Sequence, residues 1–136
     1  MKATDLMAGD WVFHVRNRIA SGFEAGGPVR VLEIYEHGPQ TTDGFVRNED
    51  LEPIPITPEI LEKNGFDGAY KKTYQIYESN GYDKLYISYW RGRLSIITSP
   101  DIRKKHSTNR IHIDCSYVHE LQHCLALFGI EKEIEL

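Results

Sequence analysis

The fold of this chain is decided by the stretch Leu85-Tyr86-Ile87-Ser88-Tyr89-Trp90-Arg91-Gly92-Arg93-Leu94-Ser95-Ile96-Ile97. Two runs rich in aliphatic and aromatic residues flank Arg91-Gly92-Arg93, and such runs around a short glycine-containing connection predict a β-hairpin. An earlier strand is expected around Tyr74–Tyr77, and Asn80-Gly81 provides the turn that follows it. Residues 70–98 are therefore expected to form antiparallel strands.

The chain after this sheet predicts a strand, a helix and a final strand. Residues 110–114 alternate in polarity, as a strand does. A helix is expected from about residue 117 to Phe128, because Gly129 suits the C′ position at which a helix ends. The tail 130–136 alternates again and is compatible with one last strand.

The segment before the sheet carries the clearest helix signals of the chain. Thr57 is an N-cap residue, and Pro58 occupies the first helical position, where its missing N–H costs nothing. Asn64-Gly65 then ends the helix after two turns. Residues 1–56 instead hold short strands separated by turns, and they predict a small, strongly bent sheet or SH3-like barrel.

The predicted fold class is α+β. A small barrel-like β subdomain at residues 1–56 precedes an α+β subdomain at residues 57–136, which has an antiparallel sheet, one short helix and one longer C-terminal helix. A chain of 136 residues with 40% hydrophobic positions can bury one core or two small ones. The two parts are expected as separate subdomains or as one continuous domain.

The composition indicates a cytoplasmic protein with no membrane partner. No apolar run approaches the roughly 20 residues of a membrane span, and Met1–Asp5 has no apolar signal region. Cys115 and Cys124 are the only cysteines. Two thiols do not make a disulfide scaffold, so we expect them to be reduced and partly buried.

The middle of the chain is basic, although the formal net charge is −4. Residues 1–69 carry a net charge of −6, residues 70–110 carry +6 and residues 111–136 carry −4. The basic segment either complements the acidic ends or offers a face to a polyanion.

Aromatic residues are interleaved with this basic charge. Rings that stack on bases and cations that bind phosphates are what a single-strand-binding surface requires. The alternative is that tyrosine serves as an ordinary strand residue beside a solvated basic face. The candidate nucleic-acid-binding residues are Lys71, Lys72, Lys84, Tyr86, Tyr89, Trp90, Arg91, Arg93, Arg103, Lys104 and Lys105.

A separate motif, His119-Glu120-Leu121-Gln122-His123, matches the zinc-protease helix signature. His119 and His123 lie on one helix face and can bind one ion, with Glu120 as the base. The usual third ligand is missing, however, and a helical wheel puts both histidines opposite the apolar stripe of the helix. We therefore treat His119 and His123 as weak metal candidates and expect no catalytic residue and no cofactor.

Three segments, in this order, resemble a family of small uncharacterised proteins of Bacteroides-type bacteria and their phages or prophages. They are Asp5–Val12, Glu52–Phe66 and Tyr117–His123 with the following residues 130–134. The resemblance spans nearly the whole chain and implies no assigned activity. Because members of the family often carry other residues at the positions of Glu120 and His123, it also speaks against a zinc enzyme.

Three functions follow as expectations. The first is a non-enzymatic binding or assembly protein of phage or mobile-element type. The second is nucleic-acid binding through residues 70–105, and the third, which is disfavoured, is a zinc-dependent hydrolase. A protein partner or a second copy would use the C-terminal helix and tail, through Leu127 and Ile130, unless these residues close the chain's own sheet.

Overall fold

The computed structural model describes residues 1–15, 26–70, 73–81, 84–99 and 109–136. These residues form the predicted α+β fold, with two antiparallel sheets and two helices. Among them, no helix combines the length and the apolar composition of a membrane span.

The chain divides into two compact units. Unit 1 is Met1–Pro55 with Tyr117–His119, and unit 2 is Ile56–Ser116 with Glu120–Leu136. The first junction lies one residue before the predicted boundary at 56. The sequence did not indicate that the short segment 117–119 belongs with the N-terminal unit.

Unit 1 is built on a five-stranded sheet. Its strands are β1 (Trp11–His14), β2 (Gly27–Tyr35), β3 (Gly38–Thr41), β4 (Gly44–Phe45) and β5 (Leu51–Pro53), in the order β4-β3-β2-β1-β5. A bulge between Val31 and Glu33 bends β2 where it pairs with β3. The core residues of this unit are Leu6, Val12, Val29, Val31, Val46 and Leu51.

The prediction of an SH3-like barrel for residues 1–56 is wrong. Within the described residues, the edge strands β4 and β5 each pair with one neighbour only, so the sheet stays open. The bend was predicted correctly, but turns and bends do not by themselves show that the edges of a sheet meet. Closure also requires a register stagger between strands that sequence patterns do not report.

Unit 2 contains the second five-stranded sheet. The elements are α1 (Pro58–Lys63), β6 (Asp67–Tyr70), β7 (Thr73–Ser79), β8 (Lys84–Trp90), β9 (Arg93–Ser99), β10 (Asn109–Asp114) and α2 (Val118–Leu127), with strand order β10-β9-β8-β7-β6. The hairpin predicted at Arg91-Gly92 joins β8 to β9, and Trp90 pairs with Arg93 across it. Strand β6 was not predicted.

Helix α1 has the predicted signals at both ends. The hydroxyl of Thr57 accepts a hydrogen bond from the N–H of Ile60 at 3.3 Å, and Pro58 is the first helical residue. Gly65, with φ of +86°, follows the last turn. Contacts with β6 and β7 hold this helix on one face of the sheet.

Helix α2 ends as predicted, but the tail after it forms no strand. The N–H of Ile130 donates to the carbonyl of Leu125 at 2.9 Å, which closes the helix around Gly129. Residues 130–136 are extended without a ladder, and Glu135 instead pairs through its backbone N–H and C=O with the side-chain amide of Asn64, at 2.8 and 2.6 Å.

The tail is part of the core of this chain. Ile130 and Ile134 are buried, and Lys132 forms an ion pair with Glu78 at 3.3 Å. Leu127, in contrast, is 77% exposed. Of the apolar residues predicted for a protein partner, Leu127 is available on the surface and Ile130 is not.

Candidate functional site

The zinc-protease motif lies on α2, but its first histidine is not on the surface. His119 is 6% exposed, and its ring stacks on that of Tyr117 with the centroids 6.0 Å apart. The wheel prediction of a solvent-facing His119 is therefore wrong. The helical wheel assumed that the helix packs on one side only. The first turn is also covered by residues 54–55, because Tyr117 forms a β-bridge with Pro55 and the N–H of Val118 donates a hydrogen bond to the carbonyl of Ile54.

Glu120 has a structural role at the start of the same helix. Its carboxylate accepts a hydrogen bond from the backbone N–H of Ser116 at 2.8 Å. The bond spans four residues rather than the three of a capping box, but it likewise ties the first turn to the segment before the helix, and the charge of Glu120 complements the helix dipole. Within the described residues, no three His, Cys, Asp or Glu side chains are grouped so that they could hold a metal ion.

We expect Glu120→Ala to lower the free energy of unfolding by roughly 0.5–2 kcal/mol, the usual value of an N-terminal cap. The reason is that the Ser116 N–H would have no carboxylate to accept its hydrogen bond. Chemical denaturation measures the effect. Glu131→Ala, at an exposed position in the tail, is the matched control and should change the stability little; equal losses in both variants would contradict a capping role.

The two cysteines form a buried pair. Both are free thiols, and a hydrogen bond joins the side chains of Cys115, just after β10, and Cys124, in the middle of α2. This bond lowers the pKa of Cys124 and raises the pKa of Cys115, which burial raises further. The sequence predicted reduced, partly buried thiols but not that they meet.

One face of the second sheet is apolar and covered, and the other is aromatic and open. Along β8 the buried residues are Leu85, Ile87 and Tyr89, and the alternate positions point the other way. On that opposite side Tyr86 pairs with Tyr77 of β7, and Trp90 follows further along β8. Tyr77 is 72% exposed and Trp90 is 48% exposed.

Basic side chains occupy the same open side. Lys84, Arg93 and Arg110 are exposed, and the strand register places Arg110 in one cross-strand row with Tyr77 and Tyr86. We call the six residues together the aromatic face: Tyr77, Tyr86, Trp90, Lys84, Arg93 and Arg110.

The aromatic face has defined ring geometry. The rings of Tyr77 and Tyr86 are 5.0 Å apart at an angle of 52°, and from the rise of a strand Trp90 lies about 13 Å beyond Tyr86. Burial and the nearby Tyr77 raise the pKa of Tyr86, while the guanidinium of Arg110 acts in the opposite direction, as a close cation does.

Acidic groups lie at the two edges of the aromatic face. Asp114 forms an exposed ion pair with Arg93 at 3.5 Å, and Asp67 pairs in register with Gln75 on the outer strand β6. The acid Glu78 points to the other side of the sheet, where Lys132 binds it. The rings of Tyr77 and Tyr86, on β7 and β8, therefore lie between these two acids in the strand order.

The turn from β8 to β9 holds one more cation in an unusual conformation. Arg91 has a φ of +45° and Gly92 a φ of +77°, the pattern of a type I′ turn. A positive φ costs a side chain such as arginine of order 1–3 kcal/mol, and such strain is concentrated at functional sites. The guanidinium of Arg91 lies 5.0 Å from the centre of the Trp90 ring, which is a cation–π contact.

The structure separates the residues that the sequence grouped as nucleic-acid-binding. Lys84, Tyr86, Trp90 and Arg93 share the aromatic face, and Arg91 adjoins it. Tyr89 is 8% exposed on the opposite, buried side, so its sequence-based grouping with these residues on one surface is wrong. The remaining candidates lie outside the described residues: Lys71, Lys72, Arg103, Lys104 and Lys105.

Two members of the aromatic face are missing from the sequence-based set. Tyr77 belongs because the pairing of β7 with β8 sets it directly beside Tyr86. Arg110 belongs because β10 joins the sheet next to β9. Both depend on register between strands, which the spacing of residues along the chain does not give.

Comparison of the chain with protein-family models, with curated proteins and with solved structures found no match.

Proposed function

We propose that this protein binds single-stranded nucleic acid across its aromatic face. The observation that carries the proposal is that the exposed Tyr77 and Trp90 and the half-buried Tyr86 lie on one side of a sheet that also presents Lys84, Arg93 and Arg110. Exposed rings offer stacking platforms to bases, and flanking cations bind the phosphates between them.

The arrangement favours a single strand over a duplex. Bases can stack on Tyr77 and Tyr86 only when they are free of base-pair stacking, and single-stranded segments are the ones whose bases splay onto aromatic side chains. No helix or ribbon of the described aromatic face projects from the sheet to enter a duplex groove, because the exposed rings lie on the strands themselves. Sequence preference is expected to be weak, since every base has a ring face.

This binding role agrees with the binding function expected from the sequence. A cytoplasmic setting is part of the proposal, and the two free cysteines support it, since cytosolic thiols are kept reduced. The phage or mobile-element setting rests on the family resemblance and stays a prediction.

Titration of a labelled oligo-dT of about 15 nucleotides, followed by fluorescence anisotropy, tests the proposal. We expect binding at about 50 mM salt that weakens at about 200 mM, with a slope near 0.7 for each phosphate bound. A matched duplex should bind more weakly. Absence of binding at low salt, or equal binding to the duplex, would overturn the proposal.

The double variant Arg93→Gln/Arg110→Gln tests the cations of the aromatic face. We expect weaker binding and a salt slope lower by about 0.7 for each phosphate that the variant no longer neutralises. Arg47→Gln is the matched control, because Arg47 is also an exposed arginine paired with an acid, Glu49 at 3.6 Å, but lies in unit 1. If Arg47→Gln lowers the slope as much, the cations of the aromatic face have no special role.

A further inference from the structure

A pocket of about 380 Å³ opens beside the turn from β8 to β9. Its walls come from the segment 56–61 and from Tyr74, Tyr89 and Arg91, all within unit 2. This volume falls in the range of about 300–1,000 Å³ that is typical of small-molecule sites. The pocket is on the side of the sheet opposite to the aromatic face, because Tyr74 and Tyr89 pair with each other on that side.

The pocket has flat apolar walls. Leu61 and Tyr89 are buried within it, and the ring of Tyr74 forms the wall nearest to β6. That ring can lie close to the strand only because residue 68 is glycine: a Cβ there would be 2.6 Å from Cε1 of Tyr74. Aromatic and aliphatic walls of this kind suit a flat apolar ring.

The wall hydroxyls of Thr57 and Tyr89 are hydrogen-bonded within the protein, and the guanidinium of Arg91 contacts the ring of Trp90. The hydroxyl of Thr57 accepts a hydrogen bond from the N–H of Ile60 and donates one to the carboxylate of Glu59. The pKa of that carboxyl group is lowered first by its own backbone N–H and then by this hydroxyl. The phenol of Tyr89 takes a bond from the N–H of Gly92. Arg91 is exposed and supplies the positive charge of the walls.

Arg91 lies at a turn position where other residue types would have less backbone strain. The first central position of a type I′ turn favours Asn, Asp or Gly, which tolerate a positive φ. Arginine at this position, with φ of +45°, lines the apolar pocket, and its guanidinium, which also contacts the Trp90 ring, is a group that binds anions in bidentate fashion. Strain at a pocket wall indicates a binding role for the side chain that bears it.

We propose that this pocket binds a flat ring that carries one anionic group, with the ring against Tyr74 and the anion on Arg91. A terminal nucleotide of a nucleic-acid strand and a free aromatic acid share this chemistry. The ring of the ligand contacts the side of the sheet opposite to the aromatic face, whereas Arg91, which binds the anion, also contacts Trp90 of that face.

Isothermal titration calorimetry with three probes tests the ligand chemistry: adenosine 5′-monophosphate, adenosine and 2-naphthoate. We expect at least one of the two anions to bind and, where the monophosphate binds, adenosine to bind at least tenfold more weakly than the monophosphate. Tighter binding of the nucleotide favours the terminal nucleotide of a strand as the natural ligand. Tighter binding of naphthoate favours a free aromatic acid as the natural ligand. If neither anion binds, the proposal is wrong.

Three variants locate the site. Arg91→Asn should raise the melting temperature, because Asn suits the turn, and still weaken anion binding by at least tenfold; retained binding would overturn the proposal. Gly68→Ala, which displaces the Tyr74 ring, should weaken binding, whereas Gly27→Ala, with open space around its Cβ, should not. If Tyr77→Ala/Tyr86→Ala weakens anion binding as strongly as Arg91→Asn, the ligand lies on the aromatic face and the pocket proposal fails.

The outcomes also separate the two proposals from each other. Anion binding that depends on Arg91 and Gly68, without binding of oligo-dT, upholds the pocket and removes the proposed function. Binding of oligo-dT without binding of either anion upholds the proposed function and removes the pocket proposal.

Discussion

The double variant Tyr77→Ala/Tyr86→Ala is expected to weaken the binding of oligo-dT by about 30- to 1,000-fold. Each base stacked on an aromatic side chain contributes roughly 1–3 kcal/mol. Because the two rings touch, with centroids 5.0 Å apart, they act on adjoining bases and the effects of removing them are not fully additive. A combined loss of about 2–4 kcal/mol corresponds to that range of affinity. Fluorescence anisotropy at low salt measures it.

Two controls separate stacking from general damage to the fold. Tyr77→Phe/Tyr86→Phe keeps both rings and should bind within a few-fold of the wild type. Tyr35→Ala removes a tyrosine that is also exposed, from the sheet of unit 1, and should leave binding unchanged. The stacking interpretation fails if Tyr35→Ala costs as much affinity as the double variant, or if the phenylalanine variant loses binding as the alanine variant does.

The hairpin at Arg91-Gly92 shows how far the sequence leads towards this site. Turn chemistry and the apolar runs on either side predict the two strands, and the structure confirms them. The alternation along β8 then decides between Tyr86 and Tyr89: Ser88 lies on the same side as Tyr86, and Ile87 lies on the same side as Tyr89. That signal is present in the sequence, and its use would have separated Tyr89 from the residues of the aromatic face.

The rest of the aromatic face depends on long-range pairing. Arg110 reaches it only because β10 adds to the outer edge of β9, after a connection of residues 100–108 that separates the two strands along the chain. A register one residue away would turn Arg110 to the other side. Local patterns cannot fix that register, because the interactions that select it form only when the whole sheet assembles.

Helix α2 shows a different limit of sequence reasoning. Its apolar stripe was predicted from periodicity, and Val118, Leu121, Cys124 and Leu125 are buried as expected. His119 is also buried, because Tyr117 and residues 54–55 cover the first turn. A wheel describes the helix alone, and it cannot include a neighbour that arrives from elsewhere in the chain.

The tail 130–136 was predicted as a strand from its alternation of apolar and polar residues, which reports its burial correctly but not its pairing. Its alternation matches the burial, since Ile130 and Ile134 are buried while Glu131, Glu133 and Glu135 are exposed. Alternation of this kind reports an extended backbone that lies on a core. It does not report a partner strand, and here the amide of Asn64 takes the backbone bonds that a neighbouring strand would make.

Ile134→Ala is therefore expected to destabilise the protein strongly, with a loss of about 2–5 kcal/mol in the free energy of unfolding. Ile134 is fully buried although it lies close to the last residue of the chain, so its removal leaves a cavity and weakens the hold on the tail. Against a typical total stability of about 5–15 kcal/mol, this is a large fraction. Urea denaturation measures the loss.

Leu127→Ala is the matched control, because it removes a similar aliphatic side chain from a position that is 77% exposed. It should change the stability by no more than about 0.5 kcal/mol. The hydrogen-exchange rate of the Glu135 N–H measures the local stability of the tail. This N–H donates to the side-chain oxygen of Asn64 at 2.8 Å and should exchange faster in Ile134→Ala. Equal stability of the two variants would mean that Ile134 contributes little to the core, and that polar contacts such as those of Asn64 with Glu135 and of Lys132 with Glu78 hold the tail in place.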